Sequence, residues 1–315
     1  MGIGIFVLLY KQFDMSEIVS ILQSDMNIVW VIVSMIIGVI SHLSRALRWQ
    51  LQLRAINVTP SFGTLCNAIF GTYAFNLVIP RFGELWRCTY VADHEQASFS
   101  RIFGSMLSDR VADTLSVVVI VAFVFLMQMG VVNSFLAQNP ELQSQVYSVM
   151  TSPWLYVVIF ILVAVALMLW KRKGNNPLMV RVREILHNLG EGFNSVVSMK
   201  SGKKRFLLYT IMIWGCYFLQ LYVCSWAFDW MHHITVLQAL VLFVLGSIGM
   251  AVPVQGGIGP WHAAVIFGMM FYGFSHEQAG AFALIAHGSQ MVVTILLGIY
   301  TSVAVVLQRK KIVQS

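Results

Sequence analysis

The sequence predicts an all-α fold: a polytopic membrane helix bundle with an inverted repeat and two broken or re-entrant hairpins. Three observations carry that prediction. Of the 315 residues 58% are hydrophobic and only 10% are charged, against about 25% charged in soluble domains. Apolar runs of bilayer-crossing length recur along the whole chain. Two of these runs are followed by proline–glycine breaks at corresponding places, residues 80–84 and 253–260, which is the mark of an inverted repeat with interrupted helices.

Taken in order, the first apolar segment covers residues 2–10. It is too short to span, since a crossing needs about 20 residues, and it lacks the basic start and small-residue cleavage site of a signal peptide. The expectation is the second half of a helix whose beginning is missing. Longer runs follow at 28–47, 62–79, 102–132, 154–170, 206–226, 236–252, 261–274 and 279–307, with a short apolar segment at 85–91. Segment 133–153 has no Lys or Arg, whereas 171–205 carries nine against two Glu and contains an amphipathic stretch around 180–197.

Positive charge collects on the cytoplasmic side of membrane proteins. That rule places Arg45, Arg48 and Arg54, the loop 171–205 and the tail Arg309-Lys310-Lys311 inside, and segments 133–153 and 229–235 outside. Residues 55–100 then leave and return on the inner face, and residues 236–276 on the outer face. Each is a hairpin, and the two open to opposite sides of one domain, 1–315, with repeats at about 27–132 and 206–308. The net charge of +7 serves this topology and forms no nucleic-acid stripe. Cys66, Cys88, Cys216 and Cys224 lie in or beside apolar runs without metal-type spacing and read as small buried residues.

The chemistry-bearing residues gather at the first break. Arg81, Glu84 and Arg87 follow Pro80 at helical spacing, so two guanidiniums can fork onto phosphate oxygens while Glu84 orients them. Amides of a helix starting after Pro80 add to such an anion site. Arg110 falls about 13 Å into the next helix, with Asp113 three residues on and Asp109 beside it. Charges at that depth face a cavity or pair with each other, so the cluster reads as a binding site or as a structural ion pair. His42, Arg45 and Arg48 read first as interfacial charge, and second as an entrance for anionic headgroups. At the second break Gln255, Gly256 and Gly257 offer backbone donors or a hinge, followed by His262, with His287 further on as a weak candidate. Asp229, His232, His233, His276 and Glu277 lack zinc-site spacing, and no nucleophile motif is present. No metal, cofactor or covalent catalyst is expected.

Three motifs carry a family resemblance: Asn76-x-x-x-Pro80-Arg81-x-Gly83-Glu84-x-x-Arg87, then Asp109-Arg110-x-x-Asp113, then Pro253-x-x-Gly256-Gly257-Ile258-Gly259. Together they resemble the membrane region of lysylphosphatidylglycerol synthases, a flippase-like family of bacteria and archaea, over nearly the whole chain. The chain departs from the family pattern at Asp109, where Glu is frequent, and at His262 and His287, where Glu and Arg are usual. The resemblance implies the translocating half of such proteins, in a bacterial inner membrane with the C-terminus cytoplasmic. The expected ligand is an anionic or zwitterionic phosphate-bearing lipid, held by Asn76, Arg81, Glu84, Arg87, Asp109, Arg110, Asp113, Gln255, Gly256, Gly257 and His262. With no aminoacyl-transfer domain before Ser315, lysyl transfer is not expected. The alternative is an integral-membrane enzyme or an accessory subunit acting on lipid-linked sugars, with a glycosyltransferase or other lipid-modifying partner.

Overall fold

The structure, a computed structural model, describes residues 2–130, most of 137–164, and 202–314. Its helices are α1 (Gly2–Tyr10), α2 (Met15–Ser24), α3 (Ile28–Ala55), α4 (Phe62–Val78), α5 (Phe82–His94), α6 (Phe99–Met127), α7 (Pro140–Thr151), α8 (Lys203–Ser225), α9 (Val236–Met250), α10 (Pro260–Phe271) and α11 (His276–Gln314). No strand occurs among the described residues; one isolated bridge pairs Met26 with Phe228. Among the described residues four helices are long and apolar enough to cross a membrane: α3, α6, α8 and the stretch of α11 over residues 276–308. The predicted loop 171–205 and its amphipathic stretch lie almost wholly outside the described residues, as does most of the run at 154–170.

Helix α3 shows how these residues suit a bilayer. Ile28, Ile32, Ile36 and Ile40 recur every four residues and are exposed, which puts them on one face turned to lipid. The opposite face buries Ser34, Ser41, His42, Arg45, Arg48 and Gln52. Polar residues inside and isoleucines outside invert the pattern of a soluble helix. Helix α8 packs along that polar face, and Gly38 leaves room for the side chain of Gln220. The helix runs to Ala55, beyond the predicted end at residue 47, because Arg45 and Arg48 find partners inside the protein and have no need of an interface.

The two predicted hairpins are both present as packed helix pairs, α4 on α5 and α9 on α10. Their arms of 17, 13, 15 and 12 residues are each shorter than the about 20 needed to cross. Small residues bring the arms together. The ring of Trp86 lies over Gly71, that of Trp261 over Gly246, and the Pro260 carbonyl against Gly249. Each hairpin sits in its own core. Ala46, Trp49, Leu53, Leu65, Ile69, Cys88, Val91 and Ile102 enclose the first; Phe228, Phe243, Trp261, Val265, Phe282 and Ala286 enclose the second.

The N-terminal segment is helical over the predicted residues and packs on α10. Helix α2 has no counterpart in the sequence reading; Asp14 caps it by accepting from the Ser16 and Glu17 amides. Segment 133–153, read as a loop, holds the 12-residue α7.

Candidate functional site

The first break is a tight turn with a specific bracket. Ile79 ends α4 in extended backbone, and Arg81 precedes α5 in the left-handed region at φ 64°, which is uncommon for a residue with a side chain. Asn76 holds the turn from both sides. Its Oδ1 accepts from the Gly83 amide at 2.9 Å, and its Nδ2 donates to Glu84 Oε2 at 3.2 Å. The Phe82 amide is spent on the Ile79 carbonyl. The amides of Phe82 and Gly83, expected to face an anion, are therefore used by the turn itself. Asn76 is a brace, and Arg81 stands exposed at the tip with no cap bond from its side chain. Arg81, Glu84 and Arg87 do not share one environment: the first is exposed, the second half-buried and the third fully buried.

Gly83 is the position the turn cannot change. A Cβ there would stand 2.0 Å from the Thr72 carbonyl oxygen, whereas one on Gly104 in α6 meets nothing within 4 Å. Gly83→Ala is expected to cost about 3 kcal/mol by overpacking. Gly104→Ala should be neutral or gain up to about 1 kcal/mol of helix propensity. Thermal unfolding of the two variants in detergent checks the contrast.

Behind the turn lies a buried charge ladder between α3, α5 and α6. Asp109 and Asp113 are one helical turn apart, as are Arg45 and Arg48, so all four face the same seam. Arg48 Nη2 donates to Asp109 Oδ1 and to Asp113 Oδ1, both at 2.6 Å, and its Nε reaches Asp109 Oδ1 at 3.0 Å. Arg45 Nη1 donates to Asp113 Oδ2 at 2.5 Å and lies 3.5 Å from Asp109 Oδ2. Arg87 comes from α5, its Nη2 3.4 Å from Asp109 Oδ2 and its guanidinium 4.5 Å above the Trp49 ring. Trp49 is itself tied to α6 by Nε1–H to Ser105 Oγ at 3.0 Å. Arg48, Arg87 and Asp109 are all 0% exposed.

Arg110 occupies the rim of this ladder. Its side chain is 37% exposed, and its carboxylate neighbours Asp113, Glu84 and Asp109 stand at 3.8, 3.9 and 4.0 Å. The expected Arg110–Asp113 pair is thus a loose one, and Asp113 is held mainly by Arg45 and Arg48. Four guanidiniums meet three carboxylates here, which leaves one positive charge in excess. Several buried guanidinium nitrogens also lack an acceptor among the described residues: Nε and Nη1 of Arg87, Nε of Arg45 and Nε of Arg110. Buried donors of this kind ordinarily find a partner. A phosphate oxygen is a group that can supply both an acceptor and a negative charge.

The second break is built differently. Gly256, Gly257 and Gly259 have φ of 56°, 76° and 94°, which only glycine adopts at little cost. The amides of Gly257, Ile258 and Gly259 are taken by Val254, Gln255 and the His262 Nδ1, so these three offer no donor to a ligand. Gln255 is half-buried. His262 is 3% exposed among Phe6, Tyr10, Trp261 and His287, away from the arginines. The structure brings Glu84, Arg87, Asp109, Arg110 and Asp113 together with Asn76 behind them; Arg81, Gln255, Gly256, Gly257 and His262 are not part of that cluster. No group of His, Cys, Asp and Glu suited to a metal occurs among the described residues.

The family described as the lysylphosphatidylglycerol synthase TM region matches residues 1–298. The chain belongs to this family. No curated protein and no solved structure matches it. Membership establishes a membrane protein linked to lipid metabolism or transport, in keeping with the four described helices long and apolar enough to cross a membrane.

Arg45 and Arg48 read in the sequence as interfacial charge that orients the chain, yet they are 3% and 0% exposed. Their positive-inside weight falls away, and of the three only Arg54, exposed in the last turn of α3, keeps it. The spacing was a partial signal: two basic residues three apart at the end of one apolar run and two acidic residues four apart inside another each share a helix face, but spacing alone does not set those faces against each other.

Proposed function

We propose that this protein moves a phosphate-bearing lipid between the leaflets of a bacterial inner membrane, with its C-terminus in the cytoplasm. One observation carries the reading: a buried ladder with an excess guanidinium at its rim and unpartnered N–H donors behind it, in a membrane family tied to lipid chemistry. Arg110 meets the headgroup phosphate first, Arg87 supplies deeper donors, and Glu84 restrains the approach. Phospholipids, aminoacylated phospholipids and polyprenyl-phosphate-linked lipids all carry the group this site selects. Asp109 and Asp113 are committed to Arg45 and Arg48, so they act as counter-charges that keep the arginines in place. Movement is facilitated or ion-coupled.

The test is leaflet exchange of fluorescent phospholipids in proteoliposomes across a panel of headgroups. Redistribution with unchanged lipid mass supports transport. A lipid of altered mass, or exchange only when a lipid-modifying partner is co-reconstituted, replaces this reading with an enzyme or an accessory subunit.

A further inference from the structure

The charge ladder leaves unused a second buried titratable pair, and that pair is attached to the glycine break. His262 and His287 are 3% and 1% exposed, with ring centres 4.6 Å apart. Each holds one end of the turn. His287 Nε2 lies 3.0 Å from the Gly256 carbonyl oxygen; a carbonyl only accepts, so Nε2 carries the proton. His262 Nδ1 accepts from the Gly259 amide at 3.4 Å, so Nδ1 is bare. His262 is therefore neutral in this arrangement, and the two rings are held by backbone atoms of Gly256 and Gly259, three residues apart in the turn.

Among the described residues no acid pairs with either ring: the His–carboxylate pairs are His232–Asp229 and His276–Glu277. Helices α4 and α9 contain no Asp, Glu, Lys, Arg or His. Helix α10 brings only His262 itself, and α1 brings Tyr10, whose hydroxyl donates to the Gly280 carbonyl at 3.0 Å. On α11 the nearest acid, Glu277, lies at the helix start beside His276 at 3.8 Å, about 15 Å along the axis from His287. The turn also touches the first hairpin. A Cβ on Gly256 would stand 2.8 Å from the Leu77 side chain, and Leu77 adjoins the brace Asn76.

We infer that His262 and His287 form a proton-binding site whose occupancy opens the glycine turn and so couples proton uptake to lipid movement. A proton on His262 Nδ1 sets an N–H against the Gly259 N–H and breaks the cap of α10. A proton on either ring creates an imidazolium without a counter-charge in a dry site, which favours the arrangement in which the turn parts and water enters. Release of Gly256 frees Leu77 and with it the bracket behind Glu84. The coupling rests on the transport reading above; the proton site itself does not.

Two measurements separate them. Amide hydrogen exchange at residues 253–262, corrected for the intrinsic rate, is followed between about pH 8 and pH 5.5, across the usual histidine range. Exchange of a fluorescent phosphatidylglycerol in phosphatidylethanolamine–phosphatidylglycerol vesicles is followed over the same range. Wild type is expected to gain about tenfold in both as pH falls. The double variant His262→Asn with His287→Gln keeps an acceptor toward Gly259 and a donor toward Gly256 but cannot titrate, and both profiles should flatten. A pH-dependent turn without lipid exchange at any pH retains the proton site and rejects the transport reading. Lipid exchange with a pH-independent turn, or an unaltered profile in the double variant, overturns the proton site and leaves transport standing.

Discussion

Asp109→Ala is expected to be the most damaging single substitution in the chain, with a loss of about 4 kcal/mol or failure to fold. Asp109 lies within 3.5 Å of Arg45, Arg48 and Arg87, and all four side chains are buried. Removing it leaves four guanidiniums with two carboxylates, and three of those guanidiniums are buried. Breaking one side of a buried pair typically costs about 3–5 kcal/mol because the remaining charge is stranded. Arg48→Met tests the same ladder from the other side. It removes one cation from a cluster that has one to spare, so three guanidiniums then face three carboxylates. The loss should be about half as large despite the deeper hydrogen bonding of Arg48. Unfolding midpoints in detergent decide this. Equal losses, or a larger one for Arg48→Met, would show that the cluster is not short of negative charge.

Arg110→Ala should do the reverse: leave the fold intact and remove leaflet exchange. Contacts at 3.8–4.0 Å from a side chain that is 37% exposed contribute little, within about 1 kcal/mol. Toward a phosphate the same guanidinium makes charge-assisted bonds worth about 1.5–3 kcal/mol each. Losing two of them lowers exchange about 100-fold or more. Arg110→Lys retains the charge without the planar fork and should fall between the two. Exchange that survives Arg110→Ala unchanged removes Arg110 from the mechanism.

Much of this fold was readable because lipid imposes harsh rules. The isoleucine stripe of α3, the runs that became α6, α8 and α11, and the breaks at Pro80 and Pro253 all follow from backbone and side-chain groups having no water to turn to. The site was readable in part. Arg87, Asp109, Arg110 and Asp113 stood out as charges inside apolar runs. Three things were hidden. Arg45 and Arg48 lie near the end of an apolar stretch, where snorkelling and burial look alike in sequence; only the register of α3 against α6 separates them. Asn76 carried no sign that it bridges Gly83 and Glu84, since a side chain's choice of backbone partner across a turn depends on the turn's own geometry. The left-handed backbone at Arg81 was equally invisible, because glycine is the residue that normally announces it.

The central claim is that the arginine rim receives a lipid phosphate. An experimental density map of the protein purified with native lipid and reconstituted in nanodiscs tests it most directly. The account predicts elongated density whose phosphate bulge lies within hydrogen-bond distance of Arg110, on the side of the unpartnered Arg87 nitrogens. A fully ordered ladder with water or protein groups on those nitrogens, and lipid phosphates bound only elsewhere, would contradict it.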